Sequence, residues 1–299
     1  MDFLERYVGW MKDRIPDLGG IRYAVDCSNG MASLLAREIF QGAVLLNDSL
    51  DGRFPVHSPN PLDPAARERI SAAVRDGMLD CGVIFDGDAD RAMFVDERGE
   101  FVQSDYLIPV VARSFGEKGK VIHDIRTSRG AIETLREDGC EPVMVPVGHA
   151  FAKPILRETG AFCGGELAGH YYFRDFHGCD SGVFAALRIL GEIARAKRNG
   201  ETFSVMMSPI CSRYANSGEI NFKVDDKDAA IARVLEAARG FGTEIARSEI
   251  DGIRLEFADG WINVRKSNTE PYLRLIAEFR ERDTLVWREA LLKAAVNAR

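Results

Sequence analysis

Three aspartates occupy alternate positions in the segment Phe85-Asp86-Gly87-Asp88-Ala89-Asp90-Arg91. The apolar run Cys81-Gly-Val-Ile comes directly before them and is typical of a buried strand. Carboxylates held this close together repel one another unless a cation neutralises them. Oxygen-only ligands in a tight loop suit Mg²⁺ better than zinc or copper, and phosphate is the usual partner of Mg²⁺ in such sites. The spacing of Asp86, Asp88 and Asp90 therefore predicts metal-assisted chemistry on a phosphorylated substrate.

Three other interpretations of this loop compete with a magnesium site. An acidic Asp-Gly turn that faces solvent is common in loops. A calcium loop of the EF-hand type, counted from Asp86, would place Glu97 at the required twelfth position. Its sixth position, however, is Arg91 instead of the needed glycine, and its flanks indicate strands where an EF-hand has helices. An aspartyl phosphatase would use one aspartate as a nucleophile, and nothing in the loop excludes that.

A glycine-rich segment, Gly164-Gly165-Glu166-Leu167-Ala168-Gly169-His170, offers a second set of chemical groups. Its glycines let the backbone come close to a ligand. Glu166 offers two acceptor oxygens that suit a pair of sugar hydroxyls, and His170 can donate a hydrogen bond or exchange a proton near neutral pH. The alternative is a surface turn with an exposed glutamate and histidine.

A third polar segment runs from Val264 to Pro271, and the proline keeps it out of a helix. Its polar residues are Arg265, Lys266, Ser267, Asn268, Thr269 and Glu270. A guanidinium, hydroxyls and backbone N–H groups are what a phosphate needs. The alternative is a polar connection between two strands.

The elements that would position these groups alternate between strand and helix in the first two thirds of the chain. The apolar pattern predicts strands at Ile21–Asp26, Leu79–Phe85, Lys120–Ile125 and Pro142–Val147, and helices at Ala32–Phe40, Ala65–Asp76, Tyr106–Phe115, Ser128–Asp138, Phe151–Glu158 and Asp180–Asn199. Such alternation implies mostly parallel sheets, whose ligand sites lie beyond the carboxyl ends of the strands. The acidic loop, Arg126 and His149 all follow predicted strands, although a lone arginine or histidine there is more often structural.

The pattern changes after about Ser208. Strands are predicted at Glu219–Val224, Ile253–Ala258, Trp261–Val264 and Tyr272–Phe279, and helices at Lys227–Gly240 and Thr284–Asn297. The pair Asp259-Gly260 is a strong hairpin signal. We therefore predict two consecutive α/β domains with mostly parallel mixed sheets, residues 1–104 and 105–208, followed by a smaller α+β domain with an antiparallel sheet, residues 209–299.

The composition of the 299-residue chain is that of a globular protein, with 46% hydrophobic and 28% charged residues. Its net charge of -7 argues against a general nucleic-acid binder, which would be basic. The sequence has neither an apolar run long enough to span a membrane nor a signal-peptide pattern. Its six cysteines show no paired spacing, which favours reduced thiols and a cytoplasmic location.

Five segments, taken in order, resemble the α-D-phosphohexomutase superfamily, and within it bacterial phosphomannomutase/phosphoglucomutase most closely. They are Val25–Gly30, Asp51–Pro61, Asp86–Arg91, Gly165–His170 and Arg265–Pro271. One such motif would be weak evidence. Five in the right order cover nearly the whole chain and argue against the EF-hand and aspartyl-phosphatase interpretations.

The resemblance implies roles for the matching residues. Asp86, Asp88 and Asp90 would bind Mg²⁺, and Arg91 would contact the phosphate on a catalytic serine. His170 would be a candidate for proton transfer. The residues implied in substrate binding are Arg126, His149, Glu166, His170, Arg265, Ser267, Asn268 and Thr269.

Two positions depart from the pattern of that family. Ala168 stands where a small hydroxyl residue is usual, so one hydrogen bond to the sugar would be missing. Arg126 stands where lysine is common, and the two side chains are not equivalent at a phosphate site. Ser267-Asn268-Thr269 resembles the mannose and glucose enzymes more than the glucosamine ones.

The implied activity is reversible transfer of a phosphoryl group between O1 and O6 of a hexose, through a bisphosphorylated sugar. The family has four domains, and the first carries a phosphoserine in a Ser-His-Asn-Pro type motif. That motif is absent here, because His57-Ser58-Pro59-Asn60-Pro61 has the wrong order and matches the second domain. We therefore expect domains two to four, with hexose phosphates and hexose bisphosphates as ligands and little or no turnover by this chain alone.

Two expectations follow from a missing domain. The first is an apolar patch near the N-terminus that favours self-association or a partner chain. The second is an alternative function, a non-catalytic sugar-phosphate-binding protein derived from a mutase.

Overall fold

Three β-sheets, which follow one another along the chain, organise the structure. The computed structural model describes residues 2–267 and 271–298. Its sheets contain five, five and six strands. Among the described residues, no helix has the length and apolar character that a bilayer-spanning segment needs.

The first sheet has the strand order β2-β1-β3-β4-β5. Its strands are β1 (Tyr23–Asp26), β2 (Val44–Leu46), β3 (Cys81–Phe85), β4 (Ala92–Asp96) and β5 (Phe101–Val102). The helices of this unit are α1 (Phe3–Lys12), α2 (Ala36–Ile39) and α3 (Pro64–Gly77), with a 3₁₀ turn at Met31–Leu34. Strand β1 is parallel to β2 and β3, whereas β4 and β5 are antiparallel additions. The acidic loop therefore leaves the carboxyl end of a central parallel strand.

Helix α3 shows how the sequence builds this unit. Asp63 caps its start by accepting a hydrogen bond from the backbone N–H of Ala65, and Pro64 occupies the first turn, where no N–H is needed. The helix packs closely on β3 because Gly82 has no side chain. A Cβ at that position would lie 2.7 Å from the side chain of Ile70.

The second sheet repeats the strand order of the first, as β7-β6-β8-β9-β10. Its strands are β6 (Lys120–Asp124), β7 (Glu141–Val145), β8 (Cys163–Gly165), β9 (Tyr171–Phe173) and β10 (Cys179–Asp180). Its helices are α4 (Ile108–Arg113), α5 (Arg129–Glu137), α6 (His149–Thr159), α7 (Gly182–Arg198) and α8 (Phe203–Cys211), with 3₁₀ turns at Ser104–Leu107 and Arg174–Phe176. Strand β6 is parallel to β7 and β8, and β9 and β10 are antiparallel. The two units therefore share the same strand order and the same mixture of parallel and antiparallel pairing.

The third sheet is antiparallel throughout, in the order β11-β16-β15-β14-β13 with β12 also paired to β16. Its strands are β11 (Ala215–Asn216), β12 (Ile220–Lys223), β13 (Ala246–Ser248), β14 (Ile253–Phe257), β15 (Gly260–Lys266) and β16 (Tyr272–Phe279). Helices α9 (Lys227–Ala238) and α10 (Arg282–Asn297), with a 3₁₀ turn at Arg239–Phe241, complete the unit.

The predicted fold class is confirmed: two α/β units with mixed, largely parallel sheets precede an antiparallel α+β unit. The Asp259-Gly260 hairpin is also found, because Gly260 pairs with Phe257 between β14 and β15. One apolar core is shared by the first two units and another fills the third. The domain boundaries remain predictions.

Some elements differ from the sequence-based prediction. The helix expected at Ala32–Phe40 is a 3₁₀ turn followed by a single helical turn, and the elements that were not predicted include β2, β5, β9, β10, β11, β13, α1 and α8. Strand β2 has only three residues, and α8 contains Pro209, so neither has a strong periodic signal. Sixteen large apolar side chains are exposed in the described part of the chain, and half of them precede residue 63, including Phe3 at 85% and Leu50 at 51% exposure. That a partner chain or a second copy covers these exposed side chains remains a prediction.

Candidate active site

The acidic loop is folded back on itself by an arginine. The backbone N–H and the Nε–H of Arg91 donate to the two carboxylate oxygens of Asp86, at 3.1 and 2.6 Å. One oxygen from each of Asp86, Asp88 and Asp90 lies within 4.8 Å of the other two. Burial is the main reason why the pKa of Asp86 and of Asp88 is raised. Arg91 offsets part of that increase for Asp86, and the charge of Asp86 adds to it for Asp88. The loop therefore holds more negative charge than Arg91 balances, which favours a cation.

The glycine-rich segment pairs directly with the acidic loop. The N–H of Ala92 donates to the carbonyl of Gly169 at 3.1 Å, and Arg91 and His170 form a single antiparallel bridge. Gly169 has φ +91°, and a Cβ there would lie 3.3 Å from the carbonyl oxygen of Ala92. Only glycine fits both the backbone conformation and the close approach without strain. This contact brings two sequence-predicted segments from different sheets together.

His170 lies between two carboxylates. Its Nδ1 is 3.0 Å from Oδ2 of Asp180 and 3.6 Å from Oδ2 of Asp90. Burial alone would lower the pKa of His170, but the hydrogen bond to Asp180 and the charge of Asp90 raise it above its ordinary value. Lys153 also contacts Asp180, at 2.7 Å. Burial raises the pKa of Asp180, whereas His170 and Lys153 lower it by more, to about 2.

Glu166 and Arg126 are both buried and lie next to each other in the site. The hydroxyl of Tyr172 donates to Glu166, and burial followed by the charge of Asp124 raises the pKa of Glu166. Arg126 donates twice to Asp124 through Nε and Nη2, at 3.1 and 2.6 Å, and its Nη2 is 3.9 Å from Oε2 of Glu166. The guanidinium is thus held rigidly beside the acceptor expected to bind sugar.

Glu219 connects Arg126 to the third unit. Its carboxylate accepts hydrogen bonds from Arg126 at 3.2 Å, Arg265 at 3.3 Å and Arg274 at 3.1 Å. Burial would raise the pKa of Glu219, but these arginines lower it below its ordinary value. Burial, and next the repulsion of Arg126, lowers the pKa of Arg265, which is 3% exposed. Arg126 is also paired with Asp124 at 2.6 Å, whereas the other carboxylate near Arg265 among the described residues, that of Asp251, is 3.8 Å away. Arg265 is thus the less fully neutralised of the two buried arginines.

A cavity of about 270 Å³ lies where these segments meet. Residues from all three units line it: Leu62, Arg67, Phe101, Gln103, Arg126, Leu167, Ala168, Gly218, Glu219 and Asn221. The cavity is thus bordered by the arginine–glutamate cluster and by the glycine-rich segment.

Comparison with known proteins identifies the family. Models of three phosphoglucomutase/phosphomannomutase domains match the chain: α/β/α domain II over residues 3–99, α/β/α domain III over residues 103–214 and the C-terminal domain over residues 219–286. The chain belongs to the α-D-phosphohexomutase superfamily. The family assignment from the five motifs is thereby confirmed.

Individual phosphohexomutases agree with this assignment. The chain is 37% identical over 279 residues to a phosphomannomutase of Vibrio cholerae serotype O1, and 37% identical over 267 residues to a protein of Xanthomonas campestris pv. campestris named phosphohexose mutases. These alignments cover 89% and 87% of this chain, which spans only 59% and 58% of the two relatives. A solved phosphoglucomutase/phosphomannomutase family protein from Burkholderia thailandensis superposes with a TM-score of 0.82 at 29% identity, covering 99% of this chain and 65% of that one.

Most of the residues predicted from the phosphohexomutase motifs lie in this one region. The exposed His149 begins α6, with its ring centroid 6.2 Å from that of His170. Ser267 follows β15, and its N–H donates to the carbonyl of Tyr272. Asn268 and Thr269 lie outside the described residues. The roles of all these residues remain predictions.

The residues of the region that were not predicted as site residues include Asp180, Lys153 and Glu219. Lys153 closes the segment that contains His149, and Asp180 stands at the start of a predicted helix, so both had weak local signals. Glu219 had none, because its partner Arg126 is 93 residues away in the sequence.

Proposed function

We propose that the chain forms the metal-, sugar- and phosphate-binding part of a phosphohexomutase of the phosphomannomutase type, which interconverts hexose 1-phosphate and hexose 6-phosphate. Membership of the superfamily supports this reaction class. The observation that carries the proposal is the contiguity of the segments. The bridge between Arg91 and His170 joins the acidic loop to the glycine-rich segment, and Glu219 joins Arg126 to Arg265.

The acidic loop fits a magnesium ion. Asp86, Asp88 and Asp90 converge within 4.8 Å and supply only carboxylate oxygens, and these three carboxylates outnumber the one guanidinium, of Arg91, that contacts them. When bound there, Mg²⁺ would neutralise charge on the transferring phosphoryl group. Arg91 would add a second positive charge beside it, with its Nη1 donating to Asn60 at 3.2 Å.

His170 would exchange the proton of a reacting sugar hydroxyl. Because Asp180 is ionised at neutral pH, its carboxylate accepts the Nδ1–H of His170 and fixes the ring orientation. That arrangement leaves Nε2 for the hydroxyl. Glu166 would accept hydrogen bonds from neighbouring hydroxyls of the ring.

The arginine cluster would bind the non-reacting phosphate. Arg265 and Arg126 are buried and share one carboxylate, so a phosphate dianion that reached them would be bound by charge-assisted hydrogen bonds. Arg265 Nε also has no hydrogen-bond partner among the described residues. Ser267, Asn268 and Thr269 would contribute hydroxyl and amide groups to the same phosphate.

The full mutase reaction would pass through a bisphosphorylated hexose and would need a phosphoserine. The sequence contains no Ser-His-Asn-Pro segment, so we propose that this chain alone binds hexose phosphates but turns them over poorly. A non-catalytic sugar-phosphate-binding protein would bind in the same way.

The test is calorimetry with mannose 1-phosphate and glucose 1-phosphate in the presence of Mg²⁺, together with a mutase assay that includes a hexose bisphosphate. We expect binding by the parent chain and at least a tenfold loss of affinity in Arg265→Gln. The control Arg239→Gln changes an arginine that is 78% exposed in the same unit, and it should bind like the parent. Absence of heat at millimolar ligand would refute the proposal, and robust turnover by the chain alone would refute the need for a separate phosphoserine.

A further inference from the structure

A second and larger cavity, of about 530 Å³, lies between the second and third units. Helix α5 and strand β7 form one wall, with Ile132, Arg136 and Met144, and strands β13 and β14 form the other, with Arg247 and Arg254. We call it the interdomain cleft. The second sheet separates it from the candidate active site, because neighbouring residues of strand β6 face the two regions.

Adjacent residues of β6 point to opposite faces of the sheet. His123 lines the interdomain cleft, whereas Asp124 holds Arg126 on the side of the candidate active site. Arg254 joins the two regions, because its Nη1 donates to the carbonyls of Ile125 and Thr127, at 2.5 and 3.0 Å, on either side of Arg126. The cleft is therefore distinct from the site described above but lies directly behind it.

Two buried side chains of the cleft have unused hydrogen-bonding capacity. Arg254 is 1% exposed and donates through Nε to Glu256, yet its Nη2 has no hydrogen-bond partner among the described residues. A buried guanidinium nitrogen without an acceptor costs free energy that a ligand oxygen would recover. His123 is 2% exposed and its Nδ1–H donates to the carbonyl of Asp124 at 3.1 Å, which makes Nε2 an acceptor. Burial lowers the pKa of His123 to about 4, so the ring is neutral at physiological pH.

The charge of the cleft is positive in a chain whose net charge is -7. Its lining holds four arginines and two glutamates. Of the glutamates, Glu256 is already paired with Arg129 and Arg254. Among the residues that the structure describes, Arg136 forms no ion pair, and the exposed Arg247 forms one, with the exposed Glu249. The positive charge at the rim is thus available to a ligand.

Apolar side chains lie beside these charges. Ile132 and Met144 line the wall of the second unit, and Ile245, which is 62% exposed, lies across from them in the third. A volume of about 530 Å³ is within the range of pockets that bind small organic molecules, roughly 300–1,000 Å³. The combination suits a molecule with an anionic group and an apolar body, and suits inorganic phosphate less well.

We propose that the interdomain cleft is a second ligand site, which binds a small organic phosphate or carboxylate between the second and third units. The anionic group contacts Arg136, Arg247 and the free Nη2 of Arg254, and a hydroxyl or amine of the ligand donates to Nε2 of His123. The ligand holds the third unit against the second from the side opposite the hexose phosphate.

The test follows the imidazole signals of the five histidines by NMR while phenyl phosphate, benzoate or inorganic phosphate is titrated into the full chain. We expect a saturable shift of the His123 signal with phenyl phosphate or benzoate, at concentrations that leave His149 and His170 unchanged. Whichever of the two probes binds more tightly identifies the anionic group. The double variant Arg136→Glu and Arg247→Glu should weaken that binding at least about tenfold. Both positions are exposed, so the variant should fold.

The matched control is Arg195→Glu, because that arginine is 58% exposed and paired with a neighbouring glutamate, as Arg247 is, but lies on α7 away from the cleft. It should bind the probes like the parent chain. A His123 signal that does not move at millimolar concentrations of any probe would overturn the proposal. So would a shift that the double variant leaves intact, or shifts confined to His149 and His170.

Discussion

Substituting Glu219 by glutamine removes one negative charge from a cluster of three arginines while keeping the shape of the side chain. Arg126 and Arg265 are only 4% and 3% exposed, so water screens their charges poorly. Breaking a buried ion pair by removing one partner costs about 3–5 kcal/mol. Arg126 keeps Asp124 at 2.6 Å, which reduces the cost. Among the described residues, Arg265 keeps only the carboxylate of Asp251, at 3.8 Å, so we expect a loss of about 3 kcal/mol in the free energy of unfolding.

The assay is urea unfolding followed by far-UV circular dichroism and by tryptophan emission. Trp261 is fully buried in the third unit and reports on the part of the chain that Glu219 ties to the second. The control Glu244→Gln removes an exposed carboxylate from the same unit and should change the free energy of unfolding by less than about 0.5 kcal/mol. An equal shift in both variants would show that the charge of Glu219 is not what stabilises the cluster.

Phosphate provides a second measurement on the same variant. If the arginines form an anion site, inorganic phosphate replaces the charge that Glu219→Gln removes. It should therefore raise the urea midpoint of Glu219→Gln more than that of the parent chain. An unchanged midpoint in the variant, with and without phosphate, would refute both the ion-pair energetics and the assignment of this cluster to phosphate binding.

Three further outcomes are expected. Without metal, Asp88→Asn should raise the thermal midpoint at neutral pH. An aspartate with a raised pKa favours the folded state below about pH 3.8 and loses that contribution as the pH rises through its folded pKa, whereas a neutral asparagine does not change with pH. Mg²⁺ at a hundredfold excess over its Kd should stabilise the parent by about 3 kcal/mol and the variant much less; equal stabilisation would contradict the metal assignment. Asp180→Asn should lower the pKa of His170, which an NMR titration would show. A histidine with a raised pKa stabilises the fold below its ordinary pKa and loses that contribution above its folded pKa, so the variant should lose more stability near pH 6 than near pH 9. A loss of stability that is the same at both pH values would exclude a stabilising pair of His170 and Asp180. Gly169→Ala should cost about 1–3 kcal/mol in chemical unfolding, and more than Gly20→Ala, which has the same φ of +91° but no atom within 4 Å of the new Cβ.

The acidic loop could be predicted from the sequence because its signals are local. An apolar strand precedes the aspartates, and the rule that ligand sites lie beyond the carboxyl ends of parallel strands places the loop correctly. The hairpin at Asp259-Gly260 was predictable for the same reason, since two residues determine the turn. The glycine-rich segment was predicted to approach a ligand closely. The positive φ of Gly169 and its close contact with the carbonyl of Ala92 explain why a glycine is needed there.

Contacts between the units could not be predicted in this way. The salt bridge between Arg126 and Glu219 joins residues 93 positions apart, and the arginine from β15 reaches the same carboxylate from a different sheet. The position of Glu219 before a half-exposed strand carries no pattern that distinguishes it from a surface residue. Asp180 likewise acquires its low pKa only when His170 and Lys153 are brought beside it by folding.

The site is therefore a property of the assembled units more than of any single motif. The acidic loop belongs to the first unit, and its Asp90 and Arg91 contact His170 of the second unit. The arginine cluster draws on the second and third units and is balanced by Glu219. A metal ion would compete with the first set of contacts, and a phosphate would compete with the second. A ligand that carries phosphate and binds with Mg²⁺ can replace both at once, so its binding should be linked to the arrangement of all three units.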